Sequence, residues 1–447
     1  MGIRDSALAD FTDLIRDNRN YRYTWIGQVV SEIGDYFNNI AVFSLVMQTS
    51  GSGLVVSGVM LARAVPAVIA GPIAGVVLDR FDRKRIMIAS DLIRVVLALA
   101  FIVTVKHPQA WLLYLLSALL MFASPFFTSG RAAILPAIAG PKELHTANSL
   151  TQTTQWGTLT FGTMLAGWSA AKLGYEWAFA INSLSFLGSA AAIAMLRVPG
   201  GFRARRGGGD AAPRAVPWRE YYEGLRYMWS VPLIFGIGMI SVGWATGGGA
   251  AQILFTLFGE QVFHRGAAGI GEIWGFAGVG LLIGGWLGHV IGRQVSFRGY
   301  KRTISIAYIL HGATYVLFSQ MRAYWAALLF MTLSRVGMAV CSVLNNSQLL
   351  KHTEDQYRGR VFATMESLRW SVMMISMAGA GVASQYYSPR TLGAAAGVLS
   401  SFTAVYWWWA EARGRLPEPT GEGGDAKAAA RAAPAGTRSG GPLRPPR

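Results

Sequence analysis

Gly71-Pro-Ile-Ala-Gly75-Val-Val-Leu-Asp79-Arg80-Phe-Asp82-Arg83-Lys84-Arg85 joins two apolar runs, 54–78 and 86–105. Each run approaches the ~17–25 residues that cross a bilayer as an α-helix. The charges crowded between them require water, so the join marks a membrane face. Runs 111–127 and 179–196 repeat the pattern. The composition agrees: 52% of residues are apolar and only 14% charged, against about 25% in an average soluble protein. Disorder, collagen and a disulfide scaffold are excluded, since Cys341 is the single thiol. The 447 residues would suffice for two or three soluble domains, but the apolar runs override that reading. The fold class is an all-α polytopic membrane protein.

Twelve spans are expected: 22–47, 54–78, 86–106, 109–130, 149–170, 174–196, 231–256, 268–291, 303–320, 323–349, 361–385 and 391–410. Of the 40 Lys and Arg, about 31 then fall on one side with the two termini and about 5 on the other, the positive-inside pattern. Both termini are therefore expected in the cytoplasm. The net charge of +17, which in a soluble chain would point to nucleic acid, is here mostly a topology signal; no nucleic-acid partner is expected, and anionic headgroups are a secondary possibility. Residues 1–199 read as an amphipathic segment (Leu8, Phe11, Leu14 and Ile15 on its apolar side) followed by a six-helix half. Residues 200–229 read as a cytoplasmic linker with an interfacial helix, in which Trp218, Tyr221, Tyr222 and Tyr227 mix with Arg219 and Arg226. A second six-helix half, 230–412, precedes a disordered tail, 413–447.

A weak repeat strengthens the two-half reading. Gly284, Gly288, Gly292, Arg293 and Arg298 stand opposite Gly71, Gly75, Asp79, Arg80 and Arg85, at the ends of spans eight and two. Parallel six-helix repeats joined by a long linker are a transporter architecture. The stretch Gly75-x-x-x-Asp79-Arg80-x-x-Arg83-Lys84 resembles the signature loop of the major facilitator superfamily, which usually has glycine where Asp82 stands. Gly34-Asp35, Pro125-Phe126-Phe127-x-x-x-Arg131-x-x-x-Leu135-Pro136 and Tyr357-Arg358-Gly359-Arg360-Val361-Phe362 resemble the drug:proton antiporter branch that holds macrolide-efflux and enterobactin-export proteins. The resemblance implies twelve helices in two pseudo-repeats. It also implies proton-coupled efflux of a small amphipathic molecule by alternating access, of the kind that confers multidrug resistance, in the cytoplasmic (cell inner) membrane. In the family the loop's acidic residue faces the start of span eleven and an arginine of span four. That implies a cytoplasmic gate of Gly75, Asp79, Arg80, Arg83, Lys84, Arg131 and Arg360. The plainer alternative is that the cations only anchor topology.

Span one carries Gln28, Glu32, Asp35 and Asn39 on one helical face. Asp35 lies about 20 Å along the span, past its midplane, where an ionised carboxylate costs several kcal/mol unless paired, hydrated or protonated. Asp35 is the first candidate for proton coupling and Glu32 the second; the alternative is a structural pair with Arg63 or Arg94. Asp91 with Arg94, and Glu366 with Arg369, are three apart and suited to local pairing. Arg63 and Arg335 have no such neighbour. With Gln28, Asn39, Gln152 and Gln155 they are candidates for a substrate cavity, to which Trp156, Trp244 and Trp370 would add aromatic walls.

Rival functions find less support. The six histidines are scattered without metal-ligand spacing, no nucleophile stands beside a base, and there is no phosphate-binding Gly-x-x-x-x-Gly-Lys-Ser/Thr loop. No cofactor and no metal are expected, and a membrane-embedded enzyme is a remote alternative. Proton-coupled uptake and lysophospholipid transport would use the same scaffold. The expected partners are a small-molecule substrate, protons and the bilayer, with the chain a monomer.

Overall fold

The computed structural model describes residues 4–107, 109–140, 143–197 and 217–419, and every regular element among them is a helix. In chain order they are α1 (Arg4–Asp17), α2 (Arg19–Ser50), α3 (Gly53–Arg80), α4 (Arg83–Lys106), α5 (Ala110–Ile138), α6 (Leu144–Leu173), α7 (Tyr175–Ala194), α8 (Pro217–Ser230) and α9 (Pro232–Leu257), which runs into a π-helical turn, Phe258–Val262. There follow α10 (Gly266–Gln294), α11 (Phe297–Gln320), α12 (Tyr324–His352), α13 (Asp355–Ala383), α14 (Pro389–Ser401) and α15 (Thr403–Ala412). Twelve rods match the twelve expected spans once α14 and α15 count as one rod broken at Phe402. Seven of them, α3, α4, α5, α7, α9 with its π turn, α10 and α12, are long and apolar enough to cross a membrane on length and composition alone.

Local chemistry sets the helix ends. Asn18 caps α2 by accepting from the Tyr21 amide, and Gly51 closes it at φ +63°, a left-handed conformation suited to glycine. Asp82 caps α4 by accepting from the Arg85 amide at 2.9 Å. A carboxylate at that place in the signature loop therefore has a helix-starting role. The outer surface is apolar: Val68, Ile69 and Val76 of α3 and Ile93, Val96 and Val103 of α4 are exposed, as lipid contact requires. Exposed Trp111, Trp168, Trp177 and Trp325 ring one end, and Trp229 and Trp408 lie towards the other, like aromatic belts at two interfaces.

Helices α2–α7 form one bundle and α9–α15 the other. Their seam is made chiefly by α6 against α10 and α3 against α13. These are spans five with eight and two with eleven, so the repeat exchanges one contact for the other. The α6–α10 approach depends on glycine: a Cβ on Gly271 would stand 2.3 Å from the Thr163 carbonyl oxygen, and one on Gly167 would stand 2.6 Å from that of Ala267. The α3–α13 contact is confined to the end away from the basic loops, here the far end. Ser57 donates there to the Met377 carbonyl at 2.9 Å. Towards the basic end the bundles part, and nothing lies within 4 Å of where a Cβ would stand on Gly71 or Gly75.

Two expectations change at the basic end. The interfacial helix, α8, is docked on α13: Glu223 pairs with Arg360 at 3.1 Å, and Tyr227 stacks on Tyr357 with ring centroids 4.5 Å apart. Its aromatics thus have a protein surface to cover, although Tyr222 and Trp229 remain exposed; the side chains of Trp218 and Arg219 lie outside the described residues. The tail begins ordered: Leu416 is 1% exposed in the C-terminal core, Lys301 donates to its carbonyl at 3.1 Å, and Lys351 pairs with Glu418 at 3.0 Å. Leu416 has an apolar side chain to bury, whereas the Gly-, Ala- and Pro-rich remainder falls outside the described residues, as do linker positions 198–216. In α1, Leu14 is buried with Phe11 and Ile15 beside it, in the cluster that includes Tyr21 and Ile138; the side chain of Leu8 is outside the description.

Candidate functional site

The polar stripe of α2 points into the N-terminal bundle and its members have different surroundings. Gln28 is buried and donates to Glu32 Oε1 at 2.8 Å and to the Thr151 carbonyl at 3.3 Å. Glu32 also accepts from Thr158 at 2.7 Å and has Arg131 at 3.7 Å. Both of its carboxylate oxygens accept a hydrogen bond, while Arg131 Nη1 is buried without a hydrogen-bond partner among the described residues. Asp35 differs: its Oδ1 is buried with no hydrogen-bond partner among the described residues. Among the described residues neither cation proposed to neutralise it makes a salt bridge with it. Arg63 donates to Asn38 Oδ1 at 3.2 Å and to Asn39, and Arg94 pairs with Asp91. That last pair is 1% and 0% exposed, and the Arg94 guanidinium lies 4.8 Å and 4.3 Å from the Phe127 and Phe186 ring centroids. A buried pair of this kind contributes little net stability, but removing one partner costs about 3–5 kcal/mol.

The signature loop is spread out in this structure. Asp79 is 74% exposed and among the described residues pairs only with Arg83, at 3.7 Å, instead of with Arg131 or the start of α13. Arg131 faces Glu32 and Arg360 faces Glu223. For the start of α13 the reason is geometric, because the bundles are parted at this end; Arg131, in the same bundle as Asp79, is turned to Glu32 of α2 instead. Arg83 also donates to the Ala133 carbonyl of α5 at 2.8 Å. Lys84 donates to the carbonyls of Ala194 and Leu196 at 2.6 and 2.9 Å, a cation on the C-terminal carbonyls of α7. Arg80 is exposed.

The cavity candidates divide between the bundles. Gln28 and Arg131 line about 460 Å³ of space with Trp25 and Asn148. Asn39 instead holds Arg63; Gln152 is exposed and Gln155 half-buried. Between α9, α11, α12 and α13 lies about 700 Å³, lined among others by Trp244, Asn345, Asn346, Phe362, Glu366 and Arg369. Arg335 is buried behind this space, beside His311 and Tyr315.

Sequence reasoning missed the far-end seal. Ser44 donates to Glu260 and shares a 2.9 Å hydrogen bond with the Tyr175 hydroxyl, while Gln48 reaches Glu260 at 3.5 Å. Gln261 donates to the Gly51 carbonyl at 3.2 Å. The π turn places Glu260 on this seam. Among the described residues both hydrogen-bond partners of the Glu260 carboxylate come from the opposite bundle, because nearby Arg265 pairs with Glu272 at 3.3 Å. The one available signal was a carboxylate just beyond the expected end of span seven.

Over residues 24–377 the sequence matches the family model described as the Major Facilitator Superfamily. The chain belongs to the Major Facilitator Superfamily. It is 26% identical over 389 residues to the uncharacterized MFS-type transporter YfiS of Bacillus subtilis (strain 168), covering 83% of this chain and 88% of that protein. Over 183 residues it is 27% identical to macrolide efflux protein A of Streptococcus pyogenes, which is 39% of this chain and 44% of that one. With the multidrug efflux pump Tap of Mycolicibacterium fortuitum the identity is 29% over 205 residues, 44% of this chain and 49% of that protein. Two solved structures share the fold. A bacterial homologue of the iron transporter ferroportin in an inward-facing state superposes with a TM-score of 0.65 at 16% identity, over 87% of this chain and 98% of that one. A bacterial homologue of the human lysosomal transporter Spinster gives 0.65 at 13% identity, over 90% and 99%. The protein is thus a multi-pass membrane protein of a transporter superfamily with efflux proteins among its relatives, and not an enzyme.

Proposed function

We propose that this superfamily member is a proton-coupled exporter of a small amphipathic molecule. In this reading it lies in the cytoplasmic membrane with both termini inside and works as a monomer by alternating access. The observation that carries the coupling is Asp35, whose Oδ1 is buried and unpartnered while Glu32 and Asp91 are each held by an arginine. A carboxylate inside a membrane protein with a buried oxygen left without a hydrogen bond and no direct salt bridge becomes less costly when it carries a proton. A bundle that opens to one side and then the other gives such a group a place to load and a place to release. Glu32, fixed by three groups, would orient this region and respond to substrate. The efflux direction rests on relatives named for efflux.

The test is proton movement driven by substrate in proteoliposomes. Asp35→Asn should fold, retain substrate binding and lose coupled proton flux; wild-type flux from folded Asp35→Asn protein sinks the assignment. Accumulation of substrate by inside-out vesicles, and not by right-side-out ones, checks the direction.

A further inference from the structure

The cavity in the C-terminal bundle contains a carboxylate, yet its charge is not negative. Glu366 lines the space, but Arg369, three residues on, pairs with it at 2.5 Å, and the Trp370 indole donates to the same oxygen at 2.8 Å. Arg369 also lines the cavity, so the pair adds no net charge. Behind it stands Arg335, 7% exposed and without an ion pair among the described residues. Its contacts are the Met338 sulfur at 3.4 Å and the ring faces of Phe255 and Tyr315, 5.3 and 5.8 Å from the guanidinium carbon. Met338 lines the cavity, so this cation touches a side chain of its wall. Low-dielectric surroundings lengthen the reach of an unopposed charge. The polar atoms left over are also informative: the Trp244 indole nitrogen is buried without a partner and belongs to a cavity-lining residue, and the Tyr315 hydroxyl beside Arg335 is likewise unpartnered. An indole N–H can only donate.

We infer that this cavity binds an acceptor-rich amphipathic molecule of negative charge and discriminates against cations. Resting on the exporter reading, the inference narrows the substrate class of that same transporter. Phe362, Met365 and the face of Trp244 offer the apolar wall, while Arg335 and the Trp244 N–H supply the attraction. Arg369 decides the sign, because without it Glu366 would face the space as a free carboxylate.

The experiment uses the full chain in nanodiscs of phosphatidylcholine, at ~150 mM salt to screen the exposed basic surface, with two xanthene dyes of opposite charge. Equilibrium polarisation is read for fluorescein, an anion, and rhodamine 6G, a cation. The wild type should bind fluorescein about tenfold more tightly, a difference of about 1.4 kcal/mol. Arg369→Gln should move the ratio about tenfold towards rhodamine 6G, and Trp244→Phe should weaken fluorescein severalfold. Arg298→Gln removes the same charge from the surface outside this cavity and should leave the ratio unchanged. Arg335→Gln should also lose the preference for the anion; if it does not fold, the partly exposed Arg369 still decides the question. Absence of saturable fluorescein binding, a wild-type preference for rhodamine 6G, or equal shifts from Arg369→Gln and Arg298→Gln would each overturn the inference. No proton gradient is involved, so this result stands or falls separately from the Asp35 test.

Discussion

The two ends of the seam between the bundles use different chemistry. At the far end α6 and α10 approach through Gly167 and Gly271, Ser57 bonds the backbone of α13, and Glu260 accepts from Ser44 and Gln48. At the basic end the same helices carry charges, and those charges are satisfied within their own half: Asp79 by Arg83, Arg360 by Glu223, Lys84 by the end of α7. The difference teaches where closure energy resides. The far end is held by close backbone contact and by hydrogen bonds across the seam, which require a fixed fit. The basic end holds groups that can exchange partners at small cost, since exposed ion pairs contribute about 0–1 kcal/mol.

The comparison can be broken or sharpened by experiment. The largest effect is all-or-none. In a cysteine-free background made by replacing buried Cys341, single cysteines at Gln109 and Ser388, both exposed at the far end, should react with an impermeant thiol reagent added to intact cells. One at Gln294, exposed at the basic end, should react only after the membrane is opened. A reversed pattern would invert the orientation. Next in size is Gly271→Leu. It forces side-chain atoms against the Thr163 carbonyl, and overpacking costs about 1–3 kcal/mol, which shifts far-end closure by about tenfold to a hundredfold. Distances between spin labels on the far ends of α6 and α10 should lengthen; unchanged distances would show that the glycine contact does not hold this end. Glu260→Gln should be milder, about severalfold in the same measurement, because it retains an acceptor but loses the charge that strengthens the Ser44 bond. Smallest is Asp79→Asn, which removes one exposed pair and should alter thermal stability by less than about 0.5 kcal/mol. Its effect should appear as slower turnover with near-normal substrate affinity, because Asp79 has its proposed partners only when the basic end closes. A large stability loss would mean that Asp79 is already structural here.

Much of the architecture is legible in the sequence because a membrane restricts the options. An apolar run of the right length has to be a helix, and charge marks its ends, so the twelve rods follow from hydropathy and cation placement. The α2 stripe is legible for the same reason, since the Gln28–Glu32 contact is one helical turn. What escapes is contact between residues distant in the chain. Nothing local shows that Arg131 would face Glu32 instead of Asp79, that Tyr227 would find Tyr357, or that Leu416 would fold back beneath Lys301. The break at Phe402 between α14 and α15 also left no clear mark. The far-end seal was hidden doubly: Ser44 sits in an apolar stretch, and Glu260 lies beyond the expected end of span seven because the helix continues through a π turn.

That turn makes closure a matter of counting. A π-helical turn holds one residue more than the α-helix around it, and each residue advances an α-helix by about 100°. Deleting a single residue from the far side of 258–262 would let the segment relax to α geometry and swing the following loop around the axis. Moving the deletion ahead of Glu260 would turn the carboxylate itself away from α2. Neither change touches a charge of the basic loops. Whether the two bundles can meet at this end is therefore set by helical phase, a one-residue insertion that acts as the spacer between two otherwise ordinary spans.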